Sequence, residues 1–345
     1  MKFLVGILLL ILIGGVGLYL YSPKTMPSAL QKVISPDPLA SLPQQIKNMT
    51  VPVLREREYT STLGERTEYS DNGSYTTYLT SFQSDGFKVN GLLTIPKGQA
   101  PEKGWPAIVF VHGYIPPTLY ATTEKYTAYI DYLARNGFVV FKIDLRGHGD
   151  SEGQPGGGYY GSDYIVDTLN ARAALASSDF VSKDAIGLWG HSMAGNVVMR
   201  SFAVKPEIPA VVIWAGAVYS YEDQRKYGIQ DNSYRPPDVT RVPILSRQRL
   251  YDLVGSPSAT SPFWSKVAPT NFLRDLKGAI EIHHAVDDSV VNIGYSRDLI
   301  TLLDKTQVPH QLYEYATGGH NIEGSSFNLA IQRTSDFYKK HLTQE

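Results

Sequence analysis

The stretch GLWGHSMAGN, residues 187–196, decides how this sequence is interpreted. Apolar β-forming residues run directly into Ser192, and helix-forming residues follow it at once. A sharp strand-to-helix turn of this kind exposes a serine hydroxyl in a strained conformation, and it needs small residues two positions before and after the serine. Gly190 and Ala194 meet that need. The alternative is that Ser192 is an ordinary helix N-cap, a common place for serine.

Residues that would activate such a serine occur later in the chain. A serine hydroxyl becomes a strong nucleophile when a histidine takes its proton and a carboxylate orients that histidine. Asp287 follows the apolar stretch 279–285, and His320 lies in a Gly-rich loop after 310–315. The order Ser192, Asp287, His320 therefore predicts a catalytic triad at the carboxyl ends of strands.

Apolar strands alternate with amphipathic helices through most of the chain. The apolar strand segments are 107–113, 138–147, 185–190, 210–216 and 279–285, after two earlier strands at 75–82 and 87–96. Strands that are apolar throughout and separated by helices predict an α/β fold with a mostly parallel central sheet flanked by helices.

One segment interrupts this cycle after the sixth predicted strand. Residues 217–270 contain six prolines and many tyrosines, among them Tyr219, Tyr221, Tyr227 and Tyr234. A long insertion in a compact domain is usually functional, which indicates a cap over a substrate pocket. Ordinary surface packing of these aromatic residues is the alternative.

Four motifs resemble those of α/β-hydrolases, in particular the catalytic domain of the prolyl-oligopeptidase family and related esterases and lipases. They are IVFVHGY, IDLRGHGDSEG, GLWGHSMAG and the pattern H-x-x-x-D-x-x-V. The last pattern falls on His283, Asp287 and Val290, so it favours Asp287 over Asp288 as the triad acid. The GGHN sequence around His320 is likewise similar to the histidine loop of these enzymes.

The predicted reaction also needs two donors for the oxyanion that forms when the serine attacks a carbonyl. One is the backbone N–H of Met193, at the start of the helix that follows Ser192. The other is the backbone N–H of Tyr114, after His112 and Gly113 in the loop that follows the first parallel strand.

Composition limits the other functions. The formal charge of −1 gives no basic excess for binding nucleic acid. Without cysteine there is no thiolate metal site, and the adjacent His283 and His284 would point to opposite faces of a strand. We therefore expect no metal and no cofactor; oligomeric state is not predicted.

The N-terminus suggests a membrane association. Residues 1–21 are almost wholly apolar and predict a transmembrane anchor, with a cleaved signal peptide as the alternative. A Pro-rich linker, 22–50, would then join it to a catalytic domain at 51–345. The catalytic domain is expected outside the cytoplasm, either anchored in the membrane or secreted.

Together these features predict a serine hydrolase that cleaves a carboxylic ester through an acyl-enzyme. A prolyl-oligopeptidase-like peptidase acting on small peptides is the alternative, although those enzymes usually carry a large N-terminal propeller, for which the span before the first strands is too short. A catalytically silent hydrolase fold that binds a ligand at the membrane is a third hypothesis.

Overall fold

The computed structural model describes residues 39–156, 158–229 and 247–343. The chain divides into two compact units, Met1–Pro43 and Gln44–Glu345, and the second unit is described below. It begins before the predicted boundary at residue 51, because two short helices, α1 (Gln44–Lys47) and α2 (Val51–Arg55), bury apolar side chains there.

The predicted anchor, residues 1–21, lies outside the described residues and stays a prediction. Most of the predicted linker lies there too. In the part of the chain that the structure describes, no helix has both the length and the apolar character needed to cross a bilayer.

A nine-stranded sheet forms the centre of the described chain, in the order β1-β2-β3-β5-β4-β6-β7-β8-β9. The strands are β1 (Thr67–Asp71), β2 (Tyr75–Ser84), β3 (Phe87–Pro96), β4 (Trp105–Val111), β5 (Val139–Ile143), β6 (Val181–His191), β7 (Ala210–Trp214), β8 (Ala279–Ala285) and β9 (His310–Tyr315). Strands β4 to β9 are mutually parallel, while β1 to β3 form an antiparallel edge. The prediction of a mostly parallel sheet is confirmed.

Helices cover the sheet on both sides. The longer ones are α3 (Thr127–Arg135), α4 (Asp163–Ala176), α5 (Met193–Val204), α9 (Gly294–Leu303) and α10 (Ser325–Leu342). Helices α3 and α10 share one core with the large side chains Phe110, Trp189 and Trp214. Helices α4 and α5 pack against each other and against β6. Strands β5, β7 and β8 are therefore buried at every residue, as their apolar sequences predict.

The segment 217–270 follows the seventh strand of the structure. It was predicted to follow the sixth, since the wholly exposed β1 was not among the predicted strands. Its described part is largely helical: α6 (Tyr221–Tyr227), α7 (Arg247–Val254), α8 (Trp264–Val267) and the start of a 3-10 helix at Pro269–Asp275. The ring of Tyr221 lies 4.7 Å from that of Trp264, and its hydroxyl donates to the Tyr159 carbonyl. These aromatic residues thus pack on their neighbours; Tyr234 lies outside the described residues.

A buried ion pair fixes α4 against the loop that follows β5. The Arg146 guanidinium donates from Nη2 to Asp167 Oδ1 at 2.6 Å and from Nε to both carboxylate oxygens, and the Asp167 side chain is fully buried. Ser84 Oγ donates to the same carboxylate at 2.6 Å. Removing Asp167 would leave the buried Arg146 guanidinium with only two more distant carboxylates, Asp163 at 3.4 Å and Asp85 at 3.9 Å.

We therefore expect Asp167→Ala to lower the free energy of unfolding by about 3–5 kcal/mol, measured by urea denaturation. The control is Glu314→Ala, which breaks a more exposed ion pair with Arg297 and should cost less than about 1 kcal/mol. Equal losses in the two variants would contradict the role assigned to the buried pair.

Candidate active site

Ser192 lies in a strained turn between β6 and α5. Its backbone has φ 55° and ψ −117°, a region that residues other than glycine rarely adopt. Its N–H donates to the Trp214 carbonyl at 3.0 Å, which ties the turn to β7. The Ser192 side chain makes no capping hydrogen bond to α5, so the N-cap interpretation does not account for this serine.

The turn depends on residues without bulk. A Cβ on Gly190 would lie 2.7 Å from the Ala194 carbonyl oxygen, which explains why the strand carries glycine there. A Cβ on Gly195 would lie 2.6 Å from the Cα of Gly216. Sequence reasoning identified Gly190 and Ala194 but gave no role to Gly195, although it is the last residue of the GLWGHSMAG motif.

His320 is held by Asp288 and not by Asp287. The His320 Nδ1 lies 2.8 Å from Asp288 Oδ2, and the Asp288 side chain is fully buried. The exposed Asp287 carboxylate instead accepts the backbone N–H groups of Gly318 and Gly319, at 3.3 and 2.8 Å. The prediction of Asp287 as the histidine's partner is therefore wrong, because neighbouring side chains in the turn after β8 point in different directions.

The sequence did contain a signal for Asp288. The pattern H-x-x-x-D-x-x-V fits twice, one residue apart, and its second register falls on His284, Asp288 and Val291. In the structure His284 Nε2 lies 3.2 Å from Asp288 Oδ2, and the Val291 N–H donates to Asp288 Oδ1 at 2.9 Å. The second register thus gathers residues that contact one carboxylate.

Asp288 carries its negative charge in a buried setting. Burial alone would raise the pKa of its carboxyl, but hydrogen bonds from His284 and His320, the charge of His320 and the Val291 N–H together lower that pKa well below its usual range. Val290 also donates its N–H to Oδ1, at 2.8 Å. Asp288 therefore stays ionised and can stabilise a positive charge on His320.

A cavity of about 650 Å³ opens beside Ser192 and His320. Four aromatic side chains contribute to its wall: Tyr114, Tyr126, Tyr129 and Phe327. Lys125 and Glu323 add one charge of each sign. No described residue of the 217–270 segment lines this cavity, so the expectation that this segment covers the substrate has no support among the described residues.

The two predicted oxyanion donors come from different parts of the chain, one directly after Ser192 and the other from the loop after β4. Met193 is the first residue of α5, where a backbone N–H has no partner within the helix. Tyr114 lines the cavity in the loop after β4. The N–H of the preceding Gly113 donates to the Tyr126 hydroxyl at 3.0 Å, so Gly113 does not supply the second donor.

Asp144, the residue after β5, holds the loop that carries Tyr114. The hydroxyls of Tyr120 and Thr122 donate to its carboxylate at 2.8 and 2.6 Å. His112 is fully buried with its Nε2 2.8 Å from the Asp144 carbonyl oxygen, and burial lowers its pKa to about 3. His112 is therefore a neutral, structural residue, as its sequence context predicts.

The other histidines near the site are occupied by structural contacts. His283 lies between Glu281 and Tyr315, at 2.8 Å from each, while His284 contacts Ser296. The two rings thus use different partners on opposite faces of β8. Within residues 39–156, 158–229 and 247–343, no group of His, Asp and Glu side chains is arranged to hold a metal ion.

Part of the chain is similar in sequence to known proteins. The family model "Serine aminopeptidase, S33" matches residues 105–235. Mouse (Mus musculus) dipeptidyl peptidase 8 is 25% identical over 269 residues, which cover 76% of this chain and 27% of the mouse protein. The chain therefore spans about a quarter of the length of that relative.

Solved structures resemble the chain more completely. An acetyl xylan esterase from Paenibacillus sp. R4 matches with a TM-score of 0.60 at 16% identity, over 92% of this chain and 100% of the esterase. The chain has the α/β-hydrolase fold. A Mycobacterium tuberculosis puromycin-hydrolyzing peptidase also matches this chain with a TM-score of 0.60 at 16% identity, over 80% of this chain and 41% of the peptidase. These matches show the fold of the chain.

Paired variants can distinguish the roles of the two adjacent aspartates. We expect Asp288→Asn to lower kcat for an ester roughly 10³- to 10⁴-fold, because His320 loses the carboxylate that orients its ring. Asp287→Asn retains an amide oxygen that can accept the Gly319 N–H, so its kcat should change less than about 10-fold. Steady-state kinetics on both variants checks this, and a more severe loss in Asp287→Asn would contradict the geometry.

Asp144 predicts a pH dependence of stability. Burial raises the pKa of its carboxyl to about 6, from the usual 3.8. Between these values the folded protein holds a proton that the unfolded chain has lost, so this carboxyl lowers the free energy of unfolding as pH rises, by up to ~3 kcal/mol. Asp144→Asn removes that titration. Urea denaturation at pH 4 and pH 7 should therefore show the wild type losing stability relative to the variant; a constant difference would refute the assignment.

Proposed function

We propose that this protein cleaves carboxylic esters as a serine hydrolase that works through an acyl-enzyme. The observation that carries the proposal is the convergence of three elements on one cavity. Ser192 lies there in a strained turn after β6, His320 enters from the loop after β9, and the buried Asp288 holds the His320 ring from behind.

The proposed reaction follows from these positions. Ser192 Oγ attacks the ester carbonyl carbon while His320 takes the hydroxyl proton, and Asp288 stabilises the positive imidazolium that results. The backbone N–H groups of Met193 and Tyr114 donate to the oxyanion. His320 then gives its proton to the leaving alcohol, and a water molecule activated by the same histidine releases the acid and restores Ser192.

Two observations favour an ester over a peptide. Aromatic and aliphatic side chains, among them Tyr114, Tyr129 and Phe327, form about half of the cavity wall, which suits a hydrophobic acyl or alcohol group. The structural likeness to the Paenibacillus acetyl xylan esterase runs over the whole of that enzyme, whereas the likeness to the puromycin-hydrolyzing peptidase covers 41% of it.

A peptidase remains the second candidate. The S33 aminopeptidase model and the similarity to dipeptidyl peptidase 8 favour it. Glu323 at the cavity is a carboxylate that could bind the amino group of a peptide. The same serine chemistry would cleave either bond, so substrate preference has to be measured.

The deciding experiment combines a covalent probe with two substrate series. A fluorophosphonate forms a bond between phosphorus and the oxygen of an activated serine and releases fluoride. We expect intact-mass spectrometry of the full-length protein to show one adduct, absent in Ser192→Ala and His320→Ala. Acyl p-nitrophenyl esters should be hydrolysed, with kcat in Ser192→Ala reduced by at least about 10⁴-fold, and peptide p-nitroanilides should be cleaved far more slowly than the esters.

The matched control is Ser178→Ala, at the end of α4, whose hydroxyl donates to the Ala174 carbonyl and does not line the cavity. It should keep the adduct and the activity. Faster cleavage of the anilides than of the esters would replace the ester proposal with the peptidase. A folded wild type that gives no adduct would favour a binding protein.

A further inference from the structure

A series of three hydrogen bonds runs along the wall of the candidate active site. The Gly113 N–H donates to the Tyr126 hydroxyl at 3.0 Å, and that hydroxyl lies 2.8 Å from His191 Nδ1. His191 Nε2 lies 3.0 Å from the His320 carbonyl oxygen. Since an amide N–H can only donate and a carbonyl can only accept, Nε2 carries the proton and Tyr126 donates to Nδ1.

The charge states allow this direction. Burial, reinforced by the charge of His320, lowers the pKa of His191 to about 3, so the imidazole is neutral at ordinary pH. Burial raises the pKa of Tyr126 well above its usual value, so the phenol keeps its proton. A neutral imidazole can accept at Nδ1 and donate at Nε2 at the same time, which a protonated ring could not do.

The three bonds join segments that are far apart in the sequence. Gly113 precedes Tyr114 in the loop after β4, His191 precedes Ser192 at the strained turn, and His320 lies in the loop after β9. The packing is tight, because a Cβ on Gly113 would lie 3.0 Å from both His191 Nδ1 and the Tyr126 hydroxyl. The rings of His191 and His320 have centroids 4.7 Å apart.

We propose that Tyr126 and His191 are positioning residues, which hold the Tyr114 amide and the His320 backbone in register with Ser192. This proposal rests on the proposed function, because it takes Ser192 as the nucleophile and His320 as its base. Both residues act through their neighbours: a displacement of about 1 Å in a reacting group can cost roughly 100-fold in rate, even when substrate binding is unchanged.

The first test removes one hydroxyl. We expect Tyr126→Phe to lower kcat for a p-nitrophenyl ester roughly 10- to 100-fold, with KM changed less than about 3-fold, and to slow fluorophosphonate labelling of Ser192 by a similar factor. The control is Tyr164→Phe. The Tyr164 hydroxyl accepts the N–H of Gly156 at 2.8 Å, the same kind of bond, but Tyr164 does not line the cavity. This control should leave kcat unchanged.

The second test uses His191. Gln can place an amide N–H near the position of Nε2, so His191→Gln should keep more activity than His191→Phe, which removes both hydrogen bonds. Because Tyr126 and His191 belong to the same series of hydrogen bonds, the double variant Tyr126→Phe/His191→Phe should be no slower than the worse single variant. Losses in kcat that multiply in the double variant would mean that the two residues act independently.

The outcomes separate the proposals. Wild-type labelling at Ser192 with an unchanged kcat in Tyr126→Phe and His191→Gln would overturn the positioning role and leave the proposed function intact. A rise in KM at constant kcat would make Tyr126 a wall residue only. No labelling of the folded wild type would overturn the nucleophile and the positioning role together. Melting temperatures identify any variant that fails to fold, and the other variant then decides.

Discussion

The strained turn at Ser192 is the constraint on which the site depends. A residue other than glycine at φ 55° and ψ −117° costs free energy, so the surrounding structure must hold it in place. The close packing of Gly190 on Ala194 and of Gly195 on Gly216 provides that support, together with the hydrogen bond from Ser192 to the end of β7. The carboxyl ends of the parallel strands lie together, so the loops that carry Asp288 and His320 lie near the turn at Ser192.

The two adjacent aspartates contact the histidine loop in complementary ways. Asp288 binds the His320 ring from a buried position, and Asp287 binds the backbone N–H groups of Gly318 and Gly319 from an exposed one. Four donors surround Asp288, which keeps its charge in a place where burial alone would neutralise it. Neutral His191 contacts the carbonyl of the same His320. The loop is therefore fixed through its ring, its backbone N–H groups and its carbonyl.

The sequence was sufficient to predict the fold and the turn at Ser192, because both depend on local patterns. The fold follows from apolar strands separated by helices, and the turn from small residues around a serine between a strand and a helix. It was not sufficient for the acid, since the motif fits at His283 and at His284, and the direction of a side chain in a turn depends on what packs against it. Tyr126 was not found for a different reason. It lies 65 residues from His191 in the chain, and only the folded sheet brings the two together.

The location of the cavity changes how substrate selection is understood. Sequence reasoning assigned this role to the tyrosine-rich segment 217–270, on the principle that a long insertion is functional. Among the described residues, however, most of the wall comes from the 113–129 region and from residues 320–327, which also carry the Tyr114 amide and the His320 ring. In the proposed reaction, recognition and chemistry therefore use the same loops. In that reaction, a side chain such as Tyr126, which lines the cavity and forms a hydrogen bond with His191, would link the shape of the bound substrate to the geometry of the reacting groups.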